Sequence, residues 1–124
     1  MLQVKKIMVI EDDSDVSIVL ADLLKSYGYE AYIFASGENA LAVIEEILPD
    51  VLIMDLMMPQ ISGFEICKTL RSMNTMHNLP MIAITGYDSV DNRRKIFDAG
   101  IDDYLPKPFD LKMLIKKIQD LIPG

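Results

Sequence analysis

Short runs of apolar residues alternate along the chain with longer segments in which apolar residues recur at the spacing of a helix. The alternation repeats five times, which is typical of successive βα units built on a parallel sheet. The predicted strands cover residues 7–10, 31–34, 51–54, 80–85 and 102–105. The helical spacing covers residues 16–27, 38–48, 64–73, 89–99 and 111–122.

Several residues mark where these helices begin and end. Ser14 or Asp15 is predicted to cap the first helix, because short polar side chains accept hydrogen bonds from the first free amides. Gly28 is predicted to close that helix. Pro49 should stop the second helix, since the residue before a proline disfavours helical conformation. Residues 123–124, a proline and a glycine, are expected to end the last helix.

The apolar and polar residues of the predicted strands indicate where each strand lies in the sheet. Residues 51–54 form an unbroken apolar run, which favours a strand buried on both faces of a parallel sheet. Residues 31–34 have more polar borders and are the candidate edge strand. Five βα units with right-handed crossovers predict a doubly wound α/β fold with helices on both faces. The expected strand order is the flavodoxin-like 2-1-3-4-5, and residues 1–124 are expected to form one domain.

Composition narrows the class of protein. The hydrophobic fraction of 51% and the charged fraction of 25% are ordinary for a globular domain. The sequence has no run of about 18 apolar residues, so it predicts no membrane span. The N-terminus does not resemble a cleavable signal. The single cysteine, Cys67, excludes an internal disulfide, favours a reducing cytoplasmic location and is predicted to be a packed thiol. The net charge of −7 argues against direct nucleic-acid binding, which needs basic surface.

Polar residues follow four of the five predicted strands. Because parallel strands end at the same edge of a sheet, we expect these side chains to meet in one shallow crevice. Each has an ordinary structural explanation alone, since acidic residues cap helices and lysines are usually solvated. Their coincidence at four strand ends favours a shared site. The residues are Glu11, Asp12 and Asp13 at the end of the first strand, Asp55 at the end of the third, Thr85 at the end of the fourth and Lys107 beyond the fifth.

The chemistry of this set favours phosphoryl transfer with Mg²⁺. Clustered carboxylates repel one another unless a cation joins them, and oxygen ligands without histidine or cysteine suit a hard divalent ion. A carboxylate beside Mg²⁺ can act as nucleophile, while Lys107 and a hydroxyl stabilise charge on phosphoryl oxygens. The sequence lacks a phosphate-binding G-x-x-x-x-G-K-[ST] loop, so a nucleotide is not the obvious donor.

These motifs together resemble the response-regulator receiver domain of two-component signalling, the family of the chemotaxis protein CheY. The resemblance covers essentially the whole chain and is specific in combination. Its motifs are the acidic cluster at residues 11–13, Asp55-Leu-Met-Met-Pro with Gly63 downstream, Thr85-Gly86, and Asp-Asp-Tyr-Leu-Pro-Lys-Pro-Phe at residues 102–109.

The resemblance implies a role for each site residue. Asp55 resembles the phosphoacceptor, and Glu11 and Asp12 resemble the acidic pair that holds Mg²⁺, with Asp12 the more direct ligand. Asp13 resembles the loop position after that pair and is interpreted as a helix-start residue. The backbone carbonyl of Met57 is implied as a further metal ligand. Lys107 resembles the lysine that contacts the phosphoryl group, and the family implies a cis peptide bond between it and the following proline.

The resemblance also implies a switch and partners. Thr85 and Tyr104 resemble the pair that rearranges on phosphorylation, although a half-buried aromatic is the structural alternative for Tyr104. A sensor histidine kinase would donate the phosphoryl group, and the chain would catalyse only its own phosphorylation and dephosphorylation. The output surface would be residues 89–99, residues 102–105 and the last helix, with a homodimer on phosphorylation left open. That surface carries the basic residues Arg93, Arg94, Lys95, Lys112, Lys116 and Lys117.

Two positions that vary in the family affect how long the phosphoryl group survives. Here they are Met57 and Tyr87, which are bulky and carry no carboxylate or amide to orient an attacking water. We therefore expect slow self-dephosphorylation.

Other functions fit the sequence less well. A haloacid-dehalogenase-type phosphatase would need a second carboxylate where Met57 stands, and it would need room for a cap. A flavodoxin-like FMN protein is disfavoured because the acidic crevice would repel the phosphate of the cofactor. A receiver that is never phosphorylated is disfavoured because every chemically required residue is present. His77, the only histidine, lies in a predicted loop and is interpreted as a surface residue.

Overall fold

The computed structural model describes residues 3–122 of the chain. Its five strands are parallel and form one sheet in the order β2-β1-β3-β4-β5, which confirms the predicted fold class. The strands are β1 (Lys6–Ile10), β2 (Glu30–Phe34), β3 (Val51–Asp55), β4 (Met81–Thr85) and β5 (Asp103–Pro106). The helices are α1 (Ser14–Ser26), α2 (Gly37–Ile47), α3 (Gly63–Arg71), α4 (Val90–Asp98) and α5 (Leu111–Leu121).

The helices cover both faces of the sheet and bury two separate cores. On one face, α1 and α5 pack residues such as Leu20 and Ile118 against Val9 and Ile53. On the other face, α2, α3 and α4 pack against the alternate strand positions, for example Met54. Every residue of β3 is buried, as predicted for a central strand covered on both sides.

The strand register brings the carboxyl ends of the central strands level with one another. Ile10 pairs with Met54, and Asp55 pairs with Ile84. Thr85 pairs with Pro106 at the far end of the sheet. The residues that follow β1, β3, β4 and β5 therefore leave the sheet along one edge, as expected from the sequence.

The start of α1 differs from the predicted cap at residue 14 or 15 but agrees with the helix-start position that the resemblance implied for Asp13. Its N-cap is Asp13, whose Oδ1 accepts hydrogen bonds from the backbone amides of Asp15 and Val16. Neither Ser14 nor Asp15 caps the helix, because the carboxylate one residue earlier already reaches these free amides. Val19 lies on the predicted apolar face but is 49% exposed, since it faces a surface cleft rather than the core.

Helix ends account for the remaining differences. Tyr27 is the C-cap of α1 rather than part of its buried face, and Gly28 follows with φ +85°, as a closing glycine should. Leu48 was predicted inside the second helix but is its exposed, left-handed C-cap just before Pro49. The other predicted bounds differ by one or two residues, and the predicted stop at residues 123–124 lies outside the described residues.

The structure also bears on the predicted burial of Cys67 and on the expectation of no membrane span. Cys67 is buried, and its Sγ donates to the Ala99 carbonyl oxygen at 3.2 Å, which is consistent with a packed thiol. Burial raises the pKa of that thiol. Among residues 3–122, no helix has the length and apolar character needed to cross a membrane.

Candidate functional site

Three carboxylates converge where β1 and β3 end. Because these strands are hydrogen-bonded neighbours in register, Glu11 and Asp55 leave the sheet side by side. One oxygen from each of Glu11, Asp12 and Asp55 lies within 4.8 Å of the others. Glu11 and Asp55 are only 1% and 6% exposed, whereas Asp12 is open to solvent. The structure therefore brings together the acidic residues that the sequence predicted.

Lys107 closes the site from the loop after β5. Its Nζ donates to Glu11 Oε1 at 2.7 Å and to Asp55 Oδ2 at 2.9 Å. Its backbone amide donates to the Thr85 carbonyl oxygen at 2.7 Å, which fixes the loop against the end of β4. The peptide bond between Lys107 and Pro108 is cis, as the family resemblance implied.

The β3–α3 loop holds the other side of the Asp55 carboxylate. The backbone amide of Met57 donates to Asp55 Oδ1 at 2.9 Å, so each carboxylate oxygen has a donor. The amide of Gly63 donates to the Leu56 carbonyl at 3.2 Å and brings the start of α3 against this loop. The Met57 side chain is 72% exposed beside the site.

Burial and neighbouring charges shift the pKa values of the buried Glu11 and Asp55 carboxyl groups in opposite directions. Burial and the neighbouring Asp55 raise the pKa of Glu11 from its ordinary value of 4.5 to about 7. Burial alone would raise the pKa of Asp55, but contacts with Glu11, Lys107 and the Met57 amide lower it below its ordinary value. Burial opposes the charge on Lys107, yet its two carboxylate partners raise its pKa. Asp55 is therefore the carboxyl kept ionised.

The donor set fits a hard divalent cation. All three side chains offer oxygen, which Mg²⁺ and Ca²⁺ prefer over nitrogen or sulfur. Oε2 of Glu11 is buried and has no hydrogen-bond partner within residues 3–122. A buried carboxylate oxygen without a partner costs free energy, and a cation beside it would remove that cost.

Thr85 lies next to this cluster, at the end of β4, and is 1% exposed. Its Oγ1 accepts a hydrogen bond from the Tyr87 amide at 3.0 Å. The same hydroxyl donates to the Tyr87 carbonyl oxygen at 3.3 Å. The Asn92 side chain on α4 also donates to both Thr85 Oγ1 and the Tyr87 carbonyl. The hydroxyl is thus engaged with the β4–α4 loop and α4.

Tyr104 of β5 is half-buried and packs against the core on the α4 side of the sheet. Its ring meets the Phe97 ring edge-on, with centroids 6.0 Å apart and an interplanar angle of 75°. Phe97 is 49% exposed on α4. The two aromatic rings therefore connect β5 with the surface of α4.

The predicted basic surface is less uniformly basic than the sequence indicated. Lys117 pairs with Asp103 at 3.0 Å. Arg93 lies 3.4 Å from Asp88 in an exposed pair. Local acidic partners thus offset part of the positive charge on this face, because the chain brings carboxylates from β5 and the preceding loop beside it.

One feature near the site was not anticipated. A cleft of about 600 Å³ opens beside Lys107, between α1 and the loop that leads to α5. Apolar residues on α1 recur at helical spacing, and that signal was interpreted as core. The cleft is lined by Asp15, Val16, Val19, Lys107, Pro108, Phe109 and Leu111.

The sequence matches the family described as the response regulator receiver domain over residues 7–119. The chain belongs to this family. The match includes every residue of the acidic cluster together with Thr85 and Lys107. The chain is thus a receiver domain of the two-component response-regulator family, as the motif resemblance predicted.

Relatives and solved structures agree with this assignment. The chain is 41% identical over 117 residues to "Response regulator MprA" of Mycobacterium avium, covering 94% of this receiver and 50% of that protein. The chemotaxis protein CheY4 of Vibrio cholerae superposes with a TM-score of 0.90 at 28% identity, covering 96% of this chain and 99% of that one. The receiver therefore spans about half the length of the curated relatives it matches.

A third comparison bears on the metal. The receiver domain of the sensor histidine kinase PA1611 from Pseudomonas aeruginosa superposes with a TM-score of 0.89 at 28% identity. The superposition covers 98% of this chain and 100% of that one. That structure is described with a magnesium ion coordinated in its active-site cleft.

Proposed function

We propose that this receiver accepts a phosphoryl group on Asp55 from a phosphohistidine of a sensor histidine kinase, in a reaction that requires Mg²⁺. The observation that carries the proposal is the arrangement of Lys107, whose ammonium contacts both Glu11 and Asp55 within a cluster of three carboxylates. An ionised nucleophile, a cation beside it and an oxygen-lined metal site are the requirements of phosphoryl transfer.

In this proposal an oxygen of Asp55 attacks phosphorus as the phosphorus–nitrogen bond of phosphohistidine breaks. The imidazole leaves with the electron pair of that bond and takes a proton. The lowered pKa of Asp55 keeps the nucleophile ionised at neutral pH. Lys107 is placed to donate to a phosphoryl oxygen in exchange for one of its present carboxylate contacts.

The residues that would hold Mg²⁺ are Glu11, Asp12, Asp55 and the backbone carbonyl of Met57. When bound, the ion would supply positive charge to the phosphoryl oxygens. The unpartnered Glu11 Oε2 and the exposed Asp12 carboxylate support this assignment. The magnesium ion coordinated in the active-site cleft of the Pseudomonas receiver also supports it.

The cleft beside Lys107 supports delivery by a partner protein. Val16, Val19 and Phe109 give it an apolar lining, and Lys107 lies in its wall. Such a surface can bury the apolar face of a partner helix. A kinase docked there would present its phosphohistidine to Asp55, since Lys107 contacts that carboxylate directly.

Phosphorylation would then shift Thr85 and Tyr104 and change the α4-β5-α5 surface. Thr85 would move its hydroxyl toward the phosphoryl oxygens, and Tyr104 would turn inward. The edge-on contact between Tyr104 and Phe97 gives this movement a route to α4. The altered surface would control an output domain or partner, or support a homodimer. The chain would catalyse only its own phosphorylation and dephosphorylation.

The direct test is incubation with acetyl phosphate and Mg²⁺, followed by intact mass spectrometry. We expect one added phosphoryl group on the natural chain and none on Asp55→Asn. Asp12→Asn should need far more Mg²⁺ for the same yield. The matched control is Asp13→Asn, because its carboxylate caps α1 and is not part of the cluster.

Two results would contradict the proposal. Equal labelling of Asp55→Asn would place the phosphoryl group elsewhere. No labelling of a folded natural chain, either by acetyl phosphate or by a panel of phosphorylated kinases, would remove the phosphoacceptor function.

A further inference from the structure

The Thr85 hydroxyl has no free hydrogen-bonding capacity in this structure. A hydroxyl has one hydrogen to donate and two lone pairs that accept. Thr85 donates to the Tyr87 carbonyl and accepts from the Tyr87 amide and from Asn92 Nδ2. The hydroxyl can therefore bind a phosphoryl oxygen only after it leaves some of these contacts.

Asn92 is the member of this network that α4 contributes. Its Nδ2 donates to the Tyr87 carbonyl at 2.5 Å and to Thr85 Oγ1 at 3.4 Å. Its side chain thus joins the first turn of α4 to the end of β4. A single amide group holds both ends of the Thr85–Tyr87 turn.

The side chain of Asn92 is not required to begin α4. Ser89 is the N-cap, and its Oγ accepts from the backbone amide of Asn92 at 3.0 Å. That capping contact uses the Asn92 backbone alone. The side chain amide is therefore free to reach back to the β4–α4 loop, where its hydrogen bonds have no capping role.

We propose that Asn92 is a positioning residue that holds Thr85 in its resting position and so opposes the switch. This inference rests on the proposed function, because the switch begins when Thr85 moves to the phosphoryl group. Losing the Asn92 contacts lowers the free energy needed to release Thr85. By linkage, a ligand that binds only the switched state then binds more tightly.

The size of the effect follows from the contacts that are lost. One hydrogen bond is short and the other is long, so their combined net contribution is that of about one ordinary hydrogen bond. We therefore expect removal of the Asn92 amide to raise the affinity for a phosphoryl mimic by about threefold to tenfold.

The experiment measures binding of beryllium fluoride, a phosphoryl mimic, with Mg²⁺ present. The variants are Asn92→Ala and Asn92→Leu. Both remove the side-chain amide, and the side chains that replace it differ in volume. Asp91→Asn is the matched control, because Asp91 is exposed on the same first turn of α4. Tighter binding by both Asn92 variants and unchanged binding by Asp91→Asn is the expected result.

A second readout requires neither Mg²⁺ nor the mimic. The Tyr87 amide donates to Thr85 Oγ1, so its hydrogen-exchange rate in chelator reports how often the turn opens. We expect this rate to rise several-fold in Asn92→Ala and to stay unchanged in Asp91→Asn.

The outcomes separate the two proposals. If the natural chain and Asp91→Asn bind beryllium fluoride, but folded Asn92 variants bind it equally or more weakly than the natural chain, the role of Asn92 is overturned. If the Tyr87 exchange rate does not change, the contact does not restrain the turn and the inference also fails. If the natural chain itself binds no beryllium fluoride, the proposed function fails instead.

Discussion

The ammonium nitrogen of Lys107 lies 2.7 Å from Oε1 of Glu11, although the two residues are 96 positions apart in the chain. The carboxylate of Glu11 is buried, while the Lys107 side chain is 28% exposed. The pair therefore joins the ends of β1 and β5 across Asp55. Because Lys107 also contacts Asp55, one cation is shared by two carboxyl groups.

Replacing Lys107 with methionine should destabilise the metal-free protein. The change leaves Glu11 and Asp55 without their cation, and we expect the free energy of unfolding to fall by about 2 kcal/mol. The measurement is urea denaturation in chelator. In a double-mutant cycle, Lys107→Met should cost about 1 kcal/mol less in a Glu11→Gln background than in the natural chain. Strict additivity would show that the contact contributes nothing.

Stability of the metal-free protein should depend on pH through Glu11. Its folded pKa of about 7 exceeds the ordinary value of 4.5, so the folded state keeps a proton that the unfolded state loses between these values. This contribution to stability is complete below the lower value and is lost as pH rises through the upper one. The lowered pKa of Asp55 affects stability only below pH 3.8, and the raised pKa of Lys107 affects it only above pH 10.5. Both effects lie outside the pH range in which Glu11 titrates.

Urea denaturation in chelator across that pH range tests the Glu11 contribution. The free energy of unfolding of the natural chain should fall as pH rises, whereas Glu11→Gln should lack this component because an amide does not titrate. A Glu11→Gln protein with the same pH dependence as the natural chain would assign the effect to other groups.

The sequence predicted the strands well because each buried apolar run ends at a polar residue. The run at residues 51–54 ends at Asp55, and the observed strand differs by that one residue. Helix ends were predicted less well, since several short polar residues near residue 14 could all cap α1. Asp13 is the residue whose carboxylate reaches the free amides, and only backbone geometry decides this.

The site residues could be found from sequence because parallel strand ends must meet. The contacts that these residues make within the site could not be predicted from the sequence. Lys107 was predicted to contact a phosphoryl group, and in this structure it contacts Glu11 and Asp55. Asn92 carries no sequence signal, since an asparagine near a helix start is ordinary. Apolar periodicity likewise could not distinguish Val19, in the cleft, from the core residues of α1.

Arg71 should be important for stability at the opposite edge of the sheet. Its guanidinium donates to the Gly100 and Leu79 carbonyl oxygens at 2.7 Å and pairs with Asp102 at 3.1 Å. A lysine cannot reproduce this planar set of donors. We expect Arg71→Lys to lower the free energy of unfolding by about 2 kcal/mol. The exposed Lys68→Ala on the same helix is the control, and equal melting of both variants would contradict the prediction.

The phosphorylated form should lose its phosphoryl group slowly. Met57 and Tyr87 are 72% and 71% exposed beside the site, and neither side chain can orient an attacking water by an amide or carboxylate. Intact mass measured over time at saturating Mg²⁺ gives the rate, and decay within seconds would contradict the prediction. Met57→Asn should accelerate the loss several-fold, whereas Met113→Asn, an exposed change on α5, should not.

Two glycines beside the site should respond differently to alanine. A Cβ on Gly63 would lie 3.0 Å from Leu56 Cα and 3.1 Å from the Asp55 carbonyl oxygen, so the β3–α3 backbone would have to move. Gly63→Ala should therefore cost about 2 kcal/mol of stability and lower the yield of Asp55 phosphorylation. A Cβ on Gly86 would meet no described atom within 4 Å, so Gly86→Ala should change stability by less than about 0.5 kcal/mol. Comparable losses in both variants would show that close packing at Gly63 does not position Asp55.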